Sequence, residues 1–208
     1  MTVRTKICGI TRVEDALAAV RHGANAIGFV FWRQSARYVT PAKAREIVAA
    51  LPPFITAVGV YVDPDSEWVR ETSSGAGIHL LQFHGNESPE FCGQFFLPYI
   101  KAMRVRAGID LLQYATRYGG ARGLLLDTYV EGEPGGTGSA FDWNLIPRDL
   151  SLPLILSGGL RPDNVQEAIR QVRPWAVDVS SGVETAKGIK DAEKIAAFMR
   201  GVRASENL

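Results

Sequence analysis

Two side chains are best placed for proton transfer. One is a cysteine beside a glycine, in Lys6-Ile7-Cys8-Gly9, and the other is an aspartate closing an apolar run, in Gly123-Leu124-Leu125-Leu126-Asp127. A cysteine is usually a small buried hydrophobe, and Cys92 is read that way. Cys8 stands apart because an apolar stretch ends on it and a glycine turn follows. A thiolate there could take a proton from carbon, provided nearby cations lower its pKa. Nucleophilic catalysis is the competing chemistry. It is disfavoured because no Cys-His pair is evident: of the three histidines only His84 ends an apolar run as Cys8 does. Asp127 is either a carboxylate that caps a loop or pairs with a basic residue, or a general acid whose carboxyl is raised by desolvation.

Two small-residue turns lie towards the end of the chain, Ser157-Gly158-Gly159-Leu160 and Ser180-Ser181-Gly182-Val183. Either alone is an ordinary turn. As a pair after the last two strands they suit a phosphate, because glycine lets backbone N–H groups approach an oxyanion. Arg37, in Ser35-Ala36-Arg37-Tyr38, follows Arg33 by four residues. One of the two is read as a solvated arginine, and Arg37 as a guanidinium able to fork onto a carboxylate. His79 and His84 are taken as five apart on one strand and so on opposite faces, and no metal is expected.

These groups need a frame. Runs rich in Val, Ile, Leu and Phe recur at residues 5–8, 26–31, 55–62, 78–83, 99–105, 123–127, 154–157 and 176–179, each bounded by turn residues. Between them lie amphipathic segments, among them 12–21, 41–50, 65–73, 89–95, 109–118 and 162–171, and 191–202 closes the series as an eighth helix. Thr11, Thr40 and Arg161-Pro162-Asp163 are expected to start helices. Eight alternating units predict an α/β fold, a single (β/α)₈ TIM barrel over residues 1–208. An open dinucleotide-binding sheet would call for G-x-G-x-x-G, and the first turn reads Cys8-Gly9-Ile10-Thr11 instead. In such a barrel the reacting groups sit where strands end. That filter selects Cys8, residues 31–37, Asp63, Gln82, His84, Arg104, Asp127, residues 157–159 and residues 178–182. The glycine-rich loop at 131–139 is long enough to be functional.

Composition narrows the partners. The 208 residues are 46% hydrophobic and 22% charged, ordinary for a globular chain with a sizeable core. With 23 Lys+Arg against 22 Asp+Glu, no bulk field favours nucleic acid or an anionic membrane. No apolar run approaches the ~20 residues that span a bilayer, and the N-terminus lacks the apolar core of a signal peptide. A cytoplasmic protein with two free thiols is expected.

Seven motifs in order resemble the phosphoribosylanthranilate isomerase family over nearly the whole chain. They are Lys6-Ile7-Cys8-Gly9-Ile10-Thr11; Gly28-Phe29-Val30-Phe31 with Ser35-Ala36-Arg37-Tyr38; Gln82-Phe83-His84-Gly85; Leu126-Asp127-Thr128; Gly135-Gly136-Thr137-Gly138 with Phe141-Asp142-Trp143; Ser157-Gly158-Gly159-Leu160; and Asp178-Val179-Ser180-Ser181-Gly182-Val183-Glu184. The family usually carries Leu where Phe83 stands, which bears on strand packing. The resemblance implies Cys8 as general base, Asp127 as general acid and Arg37 as ligand of the anthranilate carboxylate. It implies Gln82, His84 and Asp178 at the substrate, with Asp178 on sugar hydroxyls, and Gly158, Gly159, Ser180, Ser181 and Gly182 at the phosphate. The implied reaction is an Amadori rearrangement in tryptophan biosynthesis. The enzyme would need no cofactor, act on a small molecule and be a monomer or homodimer. Another phosphosugar barrel enzyme, or a non-catalytic barrel that binds a phosphorylated ligand, is the alternative.

Overall fold

A computed structural model describes residues 2–105, 108–128, 143–147 and 149–205. Eight parallel strands close into a barrel in sequence order: β1 Arg4–Cys8, β2 Ala26–Val30, β3 Thr56–Tyr61, β4 Leu80–Phe83, β5 Tyr99–Val105, β6 Leu124–Thr128, β7 Leu154–Leu156 and β8 Ala176–Val179. Closure is made by β1 on β8, with Lys6 opposite Asp178. All eight expected strands are present, their ends displaced by two residues at most. The helices are α1 Val13–Arg21, α2 Pro41–Ala49, α3 Ser66–Ala76, α4 Pro89–Gly93, α5 Leu111–Arg117, α6 Val165–Val172 and α7 Ala192–Ala204. Between β6 and β7 the described residues hold only a 3-10 turn, Trp143–Leu145. The glycine-rich loop at 131–139 lies outside the described residues. An unanticipated hairpin, β9 Glu184–Ala186 with β10 Ile189–Lys190, follows β8.

Two expected helix starts are corrected. Thr11 does not cap α1. Its hydroxyl donates to the Gly188 carbonyl at 2.5 Å, tying the first loop to the late hairpin. Residues 162–164 form a turn, and α6 begins only at Val165, because the Asn164 side chain turns back to accept from the Arg161 amide. Thr40 does cap α2, accepting from the Lys43 amide at 3.2 Å. Nor is His79 on β4: it precedes the strand and accepts from the Ala57 amide, while His84 follows it, so the two sit at opposite ends.

Alternation along the strands sorts the side chains. One set packs outward against the helices in a large apolar layer. The inward set fills the barrel: Ile100, Ala102 and Leu125 form one cluster, and Cys8, Val30 and Val60 form another. Inward Lys6, Gln82, Asp127 and Asp178 are buried despite their polarity. Phe83 faces outward, fully buried among Tyr61, Phe91, Phe95 and Tyr99, so this bulkier residue serves packing.

One buried ion pair lies outside the barrel interior. Lys101 on β5 contacts Glu87 at 3.1 Å and donates to the carbonyls of Phe83, Gly85 and Ala102. Glu87 in turn accepts from the amides of Asp63 and Gly85. The pair thereby fastens the loop that carries His84. Removing one partner strands a buried charge, so Lys101→Met should lower stability by about 3–5 kcal/mol in urea unfolding. Adding Glu87→Gln should recover part of that loss. A single variant as stable as the parent would show that the pair contributes nothing.

Candidate active site

Cys8 and Lys6 are two residues apart on β1 and so point the same way, into the barrel mouth. Space for them is made by Gly28, opposite Cys8 on β2. A Cβ there would lie 2.7 Å from Cys8 Sγ and 3.2 Å from Lys6 Cε, so a methyl group cannot fit without displacing the thiol. The Lys6 ammonium reaches Asp178 Oδ1 at 2.6 Å, and Asp178 Oδ2 is 3.4 Å from the Ser157 hydroxyl.

Burial pushes the Cys8 thiol up; Lys6 opposes it, Asp178 reinforces it and Lys190 opposes it, and the net direction is upward. Cations that lower this thiol are therefore present, in Lys6 and Lys190, but outweighed by desolvation. Burial would pull the Lys6 ammonium down, but Asp178 and Cys8 hold it above the ordinary lysine value. Lys6 thus remains a fixed cation beside the thiol.

Across the mouth, Asp127 ends the inward set of β6 and is opposite Arg104 on β5. Its Oδ2 is 3.1 Å from His84 Nε2, and His84 Nδ1 is 3.0 Å from Gln82 Nε2. With the Gln82 amide donating to Nδ1, the ring proton sits on Nε2 and is donated to Asp127. The Gln82 carbonyl oxygen is buried with no partner among the described residues.

Arg37 lies in the loop after β2 and meets Glu184 through a two-pronged contact, Nε to Oε1 at 2.9 Å and Nη2 to Oε2 at 2.8 Å. Arg33 instead lies over the Trp68 ring, 4.6 Å from its centre, and takes no part. The glycine turn after β7 has two successive left-handed residues, Gly158 (φ 79°) and Gly159 (φ 66°), a conformation that side chains rarely adopt. Among the described residues their amides donate to no protein acceptor. Ser180, after β8, donates its hydroxyl to the Cys8 carbonyl at 3.1 Å.

One cavity of about 110 Å³ is lined by Cys8, Asp127, Arg37, Gln82, His84 and Asp178, together with Gly158, Gly159, Ser180 and Ser181. Gly182 is absent from its lining; a Cβ there would run into the Leu160 carbonyl, so it lets the two glycine turns approach each other. Trp32, Val30 and Val60 supply an apolar wall. Among the described residues no group of three His, Cys, Asp or Glu side chains could hold a metal ion. Three charged residues that brace the site, Lys6, Glu184 and Lys190, were given no role in the sequence. Lys6 carried a signal, since it is two residues from Cys8 on one strand. Glu184 ended a quoted motif without being assigned a role, and Lys190 had no local signal.

The family model described as N-(5'-phosphoribosyl)anthranilate (PRA) isomerase matches residues 5–201. A relative from Nitrosospira multiformis, N-(5'-phosphoribosyl)anthranilate isomerase, is 75% identical over 208 residues and all of both chains. The solved structure of phosphoribosyl anthranilate isomerase from Thermotoga maritima is 43% identical with a TM-score of 0.90, covering 97% of this chain and 99% of that one. A structure of such an isomerase in complex with reduced 1-(o-carboxyphenylamino)-1-deoxyribulose 5-phosphate is 43% identical with a TM-score of 0.87 and the same coverage.

The electrostatics around the thiol can be measured directly. Burial holds the Cys92 thiol up at about 12, and a Cys92→Ala background removes it from the signal. The pH midpoint of Cys8 alkylation by iodoacetamide should lie above that of an ordinary thiol. In Lys6→Met, loss of a cation that favours the thiolate should move it about one unit or more further up. An unchanged or lower midpoint in that variant would remove Lys6 from the control of Cys8.

Proposed function

The chain belongs to the N-(5'-phosphoribosyl)anthranilate isomerase family, and from that premise we propose that Cys8 is its general base and Asp127 its general acid. The reaction is the Amadori rearrangement of N-(5-phospho-D-ribosyl)anthranilate to 1-(2-carboxyphenylamino)-1-deoxy-D-ribulose 5-phosphate, in tryptophan biosynthesis. It is internally redox-neutral: one carbon is reduced as its neighbour is oxidised, so acid–base groups suffice and no cofactor is invoked. The observation that carries the assignment is the single cavity holding a thiol, a carboxyl, a guanidinium and an amide-lined glycine turn.

In this reading the substrate phosphate rests on the turns of Gly158, Gly159, Ser180 and Ser181, with Gly182 permitting their approach. Arg37 meets the anthranilate carboxylate, and Trp32, Val30 and Val60 offer its ring an apolar wall. Asp178, Gln82 and His84 contact the sugar. Asp127 gives its proton to the furanose ring oxygen, the ring C1–O bond breaks and a Schiff base forms between C1 and nitrogen. Cys8, as thiolate, takes the C2 proton; the electron pair moves into a C1–C2 double bond and the C=N pair returns to nitrogen. The enolamine then tautomerises to the ketone. The active form therefore carries a proton on Asp127 and none on Cys8, and the buried Lys6 ammonium favours the thiolate. His84, bonded to Asp127, orients the acid.

We place this work in the cytoplasm, in one barrel over residues 1–208, as monomer or homodimer, without nucleic-acid or membrane partners. Near-neutral charge supports that reading, as does the absence, among the described residues, of any helix long and apolar enough to cross a membrane. Cys8→Ser and Asp127→Asn should each lower kcat by ~10² or more while ligand binding persists, the scale of a lost acid or base. Following the fluorescence of the anthranilate substrate gives the rate. Near-parental turnover in either variant would exclude that residue.

A further inference from the structure

Arg37 can hold a carboxylate only if its fork is aimed, and the described structure shows what aims it. A guanidinium has five N–H donors in one plane. Glu184 engages Nε and Nη2, which fixes that plane and leaves the end-on edge, with Nη1, for a ligand. Glu184 is itself immobilised from several sides. The Lys190 ammonium, whose side chain is fully buried, contacts Oε1 at 2.7 Å, and the Gly188 amide donates to the same oxygen at 3.2 Å. Lys194 donates to the Glu184 carbonyl at 2.7 Å, and the Lys190 amide donates to Asp15 of α1 at 3.0 Å. The β9–β10 hairpin therefore delivers a rigid carboxylate to a loop 147 residues earlier in the chain.

The charges agree with this geometry. Arg37 and Lys190 share one anion: the hydrogen bonds to Glu184 hold the arginine above its ordinary value, while burial pulls the Lys190 ammonium down against the opposing pull of Glu184. Burial pushes the Glu184 carboxyl up, but Arg37 and Lys190 outweigh it and hold it below the usual carboxylate range, so it stays ionised. Without that anion the two cations would repel each other and the arginine would lose its fixed plane.

We propose that Glu184 is a positioning residue that orients Arg37 toward the substrate carboxylate, and so sets preference for carboxylated over uncharged aryl amines. This rests on the reading of Arg37 as the carboxylate ligand. Glu184 touches no reacting atom in this scheme. Its removal should cost recognition of the carboxylate and spare that of the sugar phosphate.

The test measures dissociation constants for two probes, reduced 1-(o-carboxyphenylamino)-1-deoxyribulose 5-phosphate and the same compound lacking the carboxyl group. Glu184→Gln should weaken the first by about tenfold or more, the scale of a disturbed charged hydrogen bond, and the second by less than about twofold. Glu184→Asp keeps the charge but shortens the reach, and should show the same selectivity to a smaller degree. It also serves if the glutamine variant folds poorly. Arg37→Gln is measured in parallel. If it weakens both probes equally, Arg37 is not the carboxylate ligand and the premise falls. If Arg37→Gln is selective while both Glu184 variants bind both probes normally, or lose both equally, the positioning role is overturned.

Discussion

Lys6 and Asp178 stand 2.6 Å apart where β1 meets β8, at the seam that closes the barrel. Two buried charges at this point cost desolvation that only close pairing offsets. Their placement serves chemistry as well as closure. Cys8 follows Lys6 on the same face of β1, so the ion pair stands directly beneath the thiol, and Gly28 leaves room for both. The barrel thus holds an ammonium where a thiolate would otherwise be prohibitively costly. Burial nonetheless pushes the thiol up overall, against the opposing pull of Lys6 and Lys190.

The opposite side of the mouth is built by different means. Asp127 is reached through a relay, Gln82 to His84 to the carboxylate, and His84 is anchored by a loop pinned by the buried Glu87–Lys101 pair. That pair sits outside the barrel interior, against the aromatic layer around Phe83. Packing and positioning meet at Lys101, which donates both to the carbonyl of Phe83 and to that of Gly85, beside His84. The end proposed to bind anions follows a third logic, with left-handed glycines at Gly158 and Gly159 and the late hairpin bracing an arginine.

The strands were legible because parallel barrel strands are covered on both faces and read as apolar runs. Helix ends were less so. Thr11 has the residue type of a cap, yet its hydroxyl is taken by Gly188, and no local pattern announces a partner 177 residues away. The β9–β10 hairpin is too short and too polar to register, so Glu184 and Lys190 could not be placed. Barrel closure does bring β1 beside β8, so the Lys6–Asp178 contact was within reach of a register argument. The state of the Cys8 thiol was not, since it depends on a contest between burial and charge that requires distances.

In the proposed mechanism the thiolate of Cys8 removes the proton from C2 of the sugar. Deuterium at that carbon, followed in a single turnover, tests it most directly in the parent and in Cys8→Ser. A Cys8 base should give a primary isotope effect that is larger in the serine variant, where the scarcely ionised hydroxyl removes the proton poorly and makes C–H cleavage fully limiting. A serine variant that turns over at the parental rate, with no isotope effect in either protein, would contradict the account.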